Sequence, residues 1–194
     1  MTTIILALAC LVGTAPLAAK EKATTIYQVP LPPKPEFSPL DWLVGDWSGK
    51  TTDRQTPGDI RLSVSYDLDK QLMLVRGEVS FPAAQTSPAV KESWLGILTA
   101  ATGGGDFWLR TFSNTGFITR YRVTVEGPEI HFNPEGGEQP PPGWLFRTVI
   151  KRTAPQEFVE TVQVAPPNKT FFDYYTARLS RVPPQEKAKQ PGAK

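Results

Sequence analysis

Hydrophobic and polar residues alternate with a period of two along most of residues 40–181. In residues 60–67, an aliphatic or aromatic side chain at every even position is followed by a charged or hydroxyl-bearing one. This alternation is typical of a β-strand with one buried face. The same alternation, or a short apolar run, recurs in residues 40–49, 71–81, 92–101, 107–113, 117–126, 129–132, 144–152, 157–164 and 170–181.

Short segments rich in glycine, proline or aspartate separate these strands, for example residues 102–106 (TGGGD) and 127–128 (GP). Consecutive strands joined by short turns form an antiparallel meander, and closing the meander into a barrel removes its exposed edges. We therefore predict an all-β fold, a single antiparallel meander closed into a barrel of about ten strands. Such a barrel is wider than the eight-stranded size that side chains can fill, so we expect a cavity inside it.

The amino-terminal segment is uncharged and mostly apolar over residues 1–19. Its core, residues 4–17, is shorter than the ~20 residues that span a bilayer, and it ends in the small residues Ala18 and Ala19. We expect residues 1–19 to be a signal peptide, so that the protein is exported and either periplasmic or secreted. A minority alternative is a lipoprotein, since residues 6–10 (LALAC) resemble a bacterial lipidation site at Cys10.

Proline and charge mark both sides of the predicted barrel. Residues 20–39 are predicted to be a Pro-rich linker, the barrel is assigned to residues 40–181, and residues 182–194 are predicted to be a disordered basic tail.

The tail has three lysines and one glutamate, a net charge of +2 that equals the +2 of the whole chain. The rest of the chain is therefore neutral and lacks the basic cluster that nucleic acid binding requires. We expect no nucleic acid partner and no transmembrane segment.

Few residues could carry catalysis or hold a metal, because the chain has one cysteine and one histidine. We interpret His131 as a surface or hydrogen-bonded residue. Asp67 and Asp69 flank a predicted hairpin turn, where aspartate is common for conformational reasons. We predict no catalytic residue and no metal site, and an enzyme that relies on His131 is the weakest hypothesis.

The first strand carries a short motif, L-x-G-x-W-x-G, in residues 43–49, and the last one contains the aromatic pair Tyr174-Tyr175 followed by arginine. This combination resembles the calycin superfamily, which includes lipocalins, fatty-acid-binding proteins and nitrobindin-like haem-binding barrels, and within it exported bacterial barrels that start with the same motif. The resemblance implies that Gly45 and Trp47 lie at a closed end of the barrel, under an arginine from the last strand. Arg178 or Arg181 could supply it, and we assign Arg178. These three residues would be structural.

Haem is an unlikely ligand within this resemblance. Nitrobindin-like barrels hold the haem iron with a histidine on a late strand, and residues 171–175 (FFDYY) contain none. Tyrosine can ligate haem iron, which leaves Tyr174 as a conceivable substitute. The cofactor, if there is one, stays unknown.

Aromatic side chains on the predicted strands suggest an apolar ligand site. Arginines at positions 76, 110, 120 and 122 face either solvent or the interior; Arg110 shares a strand face with two aromatic residues and is the candidate for an interior cation that pairs with an anionic ligand. The candidates for ligand binding are Trp94, Trp108, Arg110, Phe112, Tyr121, Phe146 and Tyr174.

Two hypotheses about function follow. The first is an exported barrel that binds a small lipophilic ligand, with an anionic group if Arg110 faces inward. The alternative is a structural or interaction module with a side-chain-filled barrel, which contacts a partner through the Pro-rich arm or an outer face. The sequence leaves open whether the protein is a monomer or a dimer.

Overall fold

The computed structural model describes residues 30–52, 57–84, 88–101 and 105–183. The predicted signal peptide, Cys10, the first half of the Pro-rich linker and nearly all of the basic tail lie outside these residues. The barrel belongs to a compact unit that starts at Pro32, and the other unit, Met1–Leu31, lies almost wholly outside the described residues.

Ten β-strands form one closed barrel in the order β1-β10-β9-β8-β7-β6-β5-β4-β3-β2, and every neighbouring pair is antiparallel. The predicted fold class is confirmed. The strands are β1 (Gly45–Thr51), β2 (Asp59–Asp67), β3 (Leu72–Phe81), β4 (Val90–Ala100), β5 (Phe107–Ser113), β6 (Ile118–Glu126), β7 (Glu129–Pro134), β8 (Leu145–Ala154), β9 (Glu157–Ala165) and β10 (Phe172–Arg181).

The alternation in the sequence becomes two surfaces of the barrel wall. On β2, Ile60, Leu62 and Val64 are buried inside, whereas Arg61 between them is exposed outside. Successive side chains of a strand point to opposite faces, so one surface builds an apolar interior, here called the lumen, and the other faces solvent. No helix in the described part of the chain is long and apolar enough to cross a membrane.

One end of the barrel, here called the capped end, is covered by a 3-10 helix, Ser38–Leu43. Leu40 and Leu43 of this helix are buried in the core. The preceding residue, Phe37, stacks on Phe107 with ring centroids 5.9 Å apart and is 3% exposed. The sequence places Phe37 in the linker. In the structure its ring is buried beside the 3-10 helix and helps to cover this end of the barrel.

Arg181 packs over Trp47 at the capped end, with its guanidinium carbon 4.2 Å from the ring centroid. The guanidinium also donates hydrogen bonds to the carbonyl oxygens of Val44 (2.5 Å) and Trp42 (2.7 Å). Gly45 makes this approach possible, because its φ is +135° and a Cβ there would lie 2.1 Å from Nη1 of Arg181. Gly45, Trp47 and Arg181 are thus in mutual contact, and they connect β10 to the 3-10 helix at the capped end.

The assignment of Arg178 to this role was wrong. Arg178 lies on the outer face of β10 and pairs with Glu157 at 2.5 Å. Arg181 lies an odd number of residues further along, so it has the opposite orientation and shares the inner face with Leu179, which is fully buried.

Candidate functional site

A cavity of about 220 Å³ lies in the lumen. Leu40 and Leu43 bound it at the capped end. At the opposite end, here called the far end, Thr115, Phe117 and Pro141 contribute from connections between strands. The rest of its lining is mainly aliphatic and aromatic, as in sites that bind small apolar molecules.

Glu160 is the one carboxylic acid among the buried residues of the described chain, and it is 7% exposed. It lies on β9 between Ile150 of β8 and Ala177 of β10, and it lines the cavity. Burial raises the pKa of its carboxyl group from 4.5 to about 7. Within the described part of the chain, no hydrogen bond or ion pair to a side chain offsets this cost. The arrangement leaves the carboxyl free to bind a group that enters the cavity.

Sequence reasoning missed Glu160, although its strand contains a signal. Phe158 and Val164 fix the inward phase of β9, and position 160 has that same phase. A glutamate at an inward position is rare because burying a charge is costly. Its position in the alternation is therefore enough to make Glu160 a candidate site residue.

A group of hydroxyls forms a second polar feature of the cavity wall. Thr111 of β5 and Thr119 of β6 are opposite each other, with their Oγ1 atoms 3.0 Å apart. Burial raises the pKa of the nearby Tyr121 hydroxyl, and hydrogen bonds from the two threonines lower it in part. All three residues line the cavity, so its wall offers several uncharged hydrogen-bonding groups.

The indole ring of Trp94 forms part of the cavity wall because the facing strand has no side chain there. Trp94 of β4 is directly opposite Gly77 of β3, and a Cβ at position 77 would lie 2.0 Å from the ring. Gly77 therefore provides the space that the ring occupies beside β3.

Three of the predicted ligand residues, Trp94, Tyr121 and Phe146, line the cavity. Whether they contact a ligand stays a prediction.

Three other predicted residues, Trp108, Arg110 and Phe112, do share a strand face, but it is the outer face of β5. Arg110 pairs with Glu138 at 2.9 Å and lies over the Phe112 ring. The inner face is instead set by Phe107 and Leu109, which are buried. Both faces of this strand are hydrophobic, so the pattern alone could not decide between them.

The arginine of the adjacent strand also lies outside, with the Arg120 guanidinium 5.7 Å from the Trp108 ring centroid. Arg122 pairs with Asp106 at 2.9 Å. These outer arginines pack on aromatic rings or pair with acids, which explains their neighbouring apolar residues without an interior role.

Tyr174 is half-buried and is not part of the cavity lining, whereas its neighbour Tyr175 is. The register between β9 and β10 shifts between Asp173 and Tyr175. After this shift Ala177 and Leu179 are fully buried, so Tyr175 has their inward orientation and Tyr174 faces outward.

His131 lies on β7 between the inward-facing Ile130 and Phe132, so it points away from the lumen. Its Nε2 atom is 3.4 Å from Oε2 of Glu129. Nothing in the cavity lining pairs with it. Among the described residues, no group of three or more His, Cys, Asp or Glu could hold a metal ion.

A second depression lies over the outer surface of β1 to β5. Acids and bases both line it, with Asp46 and Glu78 beside Arg61 and Arg76. Mixed charges at solvent-facing positions are ordinary for an outer barrel wall, so this surface favours no single class of ligand.

Comparison with known proteins supports the architecture. No protein-family profile matches the sequence, and no curated protein does. Among solved structures, the chain is similar to Rv2717c from M. tuberculosis, with a TM-score of 0.54 and 15% sequence identity. The alignment covers 75% of this chain and 96% of that one. At this identity the likeness shows the fold alone.

Proposed function

We propose that this protein is an exported, calycin-like barrel that binds one small lipophilic molecule in its lumen. The observation that carries the proposal is the apolar cavity of about 220 Å³ inside a closed barrel. An apolar cavity of about 150 Å³ is enough to bind benzene. The size of this cavity therefore fits a ligand with a single ring or a short chain.

Two further observations support the proposal. The contact of Arg181 with Trp47 has the geometry that the calycin resemblance implies, with a different arginine. The anionic version of the ligand depended on Arg110 inside the lumen, and Arg110 lies outside. The proposal therefore keeps the lipophilic character and leaves the anionic group out.

Toluene is a suitable first probe, because its ring fits the cavity and it carries no polar group. We expect saturable binding with a 1:1 stoichiometry by calorimetry and a rise in Tm that grows with toluene concentration, since a ligand that binds only the folded state stabilises it. Absence of both effects would favour the alternative of a filled structural module.

The export part of the proposal has a separate test. Mass spectrometry of the protein made in a bacterial host should give a periplasmic form that begins at Lys20. A lipid-modified form that begins at Cys10 would instead support the lipoprotein alternative, and retention of residues 1–19 would contradict both.

A further inference from the structure

The cavity has an uneven charge. Its described lining contains two carboxylic acids, Glu160 and Glu92, and no lysine, arginine or histidine. The arginines that point toward the barrel axis, Arg152 and Arg181, lie at the capped end over the rings of Trp42 and Trp47. The charged side chains that a ligand in the cavity can contact are therefore all acidic.

Glu160 is the centre of this asymmetry, since the residue is only 7% exposed and its carboxyl group has no side-chain partner in the described chain. An isolated buried carboxylate is costly, and an opposite charge that also donates a hydrogen bond reduces the cost. A protonated amine supplies both the charge and the hydrogen bond. A carboxylate ligand would add a second negative charge to the same space.

The other walls suit an organic cation. Trp94 and Tyr121 face the cavity, and the faces of aromatic rings attract cations, tryptophan most strongly. The hydroxyl groups of Thr111 and Thr119 also line the cavity and offer hydrogen-bond acceptors to N–H groups of a ligand. The aliphatic part of the lining, such as Leu98 and Ile150, accommodates an apolar body.

We propose that the lumen selects small apolar molecules that carry a basic nitrogen, with the Glu160 carboxylate as the counter-ion. This inference rests on the proposed function and names its ligand class.

Binding of such a ligand should depend on pH through Glu160. The titratable side chains that face it across the lumen are Glu92 on β4, Tyr121 on β6 and Tyr175 on β10. On the two neighbouring strands, the nearest inward-facing charged groups are Arg152 on β8 and Arg181 on β10, and neither contributes to the raised pKa of Glu160. Below about pH 7 a proton must leave Glu160 before the ion pair forms, so amine affinity should fall as the pH is lowered.

The test compares three probes that share one ring: toluene, benzylamine and benzoate. At pH 8 we expect benzylamine to bind the wild-type protein on the order of tenfold more tightly than toluene, because a hydrogen bond to a charged group adds about that factor. Benzoate should bind more weakly than toluene. As the pH is lowered from 8 to 5, benzylamine affinity should fall by about tenfold in total, to the level of toluene, because protonated Glu160 no longer offers a negative counter-ion, while toluene affinity stays constant.

Glu160→Gln should bring the ratio of benzylamine to toluene affinity close to one and remove its pH dependence. Glu135→Gln is the control variant, since Glu135 is exposed and lies outside the cavity lining, and it should leave the preference in place. If Glu160→Gln does not fold, the pH profile of the wild-type protein decides the question alone.

The outcomes separate this inference from the proposed function. Equal binding of toluene and benzylamine, tighter binding of benzoate, or a preference that survives in Glu160→Gln would overturn the inference while the lipophilic site stands. Failure of every probe to bind would overturn the proposed function and the inference together.

Discussion

Glu160 contributes to the stability of the unliganded barrel in a way that depends on pH. Its pKa is about 7 in the folded protein against 4.5 in the unfolded chain, so the folded state holds the proton more tightly. The contribution is fully present below pH 4.5, is lost as the pH rises through about 7, and stays lost above. The interval between the two pKa values corresponds to about 3 kcal/mol.

Glu160→Gln removes this dependence, because an amide does not ionise. At pH 8 we expect the variant to have a free energy of unfolding up to about 3 kcal/mol above the wild type, and at pH 4.5 the two should be similar. Urea unfolding at both pH values measures the difference, with the exposed Glu135→Gln as the control. A gap that is the same at both pH values would show that ionisation of Glu160 is not its cause.

Arg181 and Arg178 form a natural pair for testing the cap. Arg181→Met should lower the free energy of unfolding by about 2 kcal/mol, because it removes the contact with Trp47 and leaves two carbonyl oxygens without a donor. Arg178→Met removes an exposed ion pair, which contributes about 1 kcal/mol at most. Denaturant midpoints of the two variants give the comparison, and an equal loss in both would contradict the role of Arg181.

At the scale of elements, the alternation predicts where strands lie better than which way they face. The predicted strand 107–113 coincides with β5, yet its outer face carries Trp108 and Phe112 and its inner face Phe107 and Leu109. Because both faces of β5 are apolar, the pattern does not show which of them points inward. That orientation depends on contacts with other strands, for example with Val123 of β6, which is paired with Phe107. Where one face is polar, as in β2, the orientation follows directly from the sequence.

Regular alternation reaches further than the predicted site residues did. Ala177 and Leu179 of β10 are fully buried, so the alternation gives Tyr175 rather than Tyr174 the inward orientation. Position 160 on β9 likewise keeps the regular phase, and its inward orientation was within reach of sequence reasoning. The register shift between Asp173 and Tyr175 arises from the fit of two strands, so a pattern along one strand does not contain it.

The fit between β3 and β4 can be tested at Gly77. Gly77→Ala places a Cβ where the Trp94 ring lies, so the ring must move. We expect a loss of about 1–3 kcal/mol in the free energy of unfolding and weaker toluene binding. The same substitution in a Trp94→Leu background should cost less, and unfolding of the four proteins completes a double-mutant cycle. Equal costs in both backgrounds would show that the ring is not what the Cβ meets.

At the scale of the whole molecule, the lumen follows from strand number. A ten-stranded wall encloses more space than its inward side chains fill, and the sequence predicts this much from the count of strands. The size of the remaining space depends on how deeply Leu40 and Leu43 enter from the cap. That depth results from packing between distant parts of the chain, so only the structure provides it.

Filling the lumen distinguishes a binding barrel from a filled structural module. Val162 lines the cavity one inward position from Glu160, so Val162→Phe places a ring in the open space. We expect the variant to keep its fold and its stability within about 1 kcal/mol, as cavity-filling substitutions do, and to lose toluene binding by more than about tenfold, since 1.4 kcal/mol of lost contact gives that factor.

The matched control is Val159→Phe, the same change of size at an outward position of the same strand. It should bind toluene as the wild type does, which calorimetry on both variants measures. A loss of more than about 2 kcal/mol in Val162→Phe alone would mean that the interior is already full, because overpacking a dense core has that cost. That result would favour the alternative of a filled structural module that contacts a partner through its outer surface.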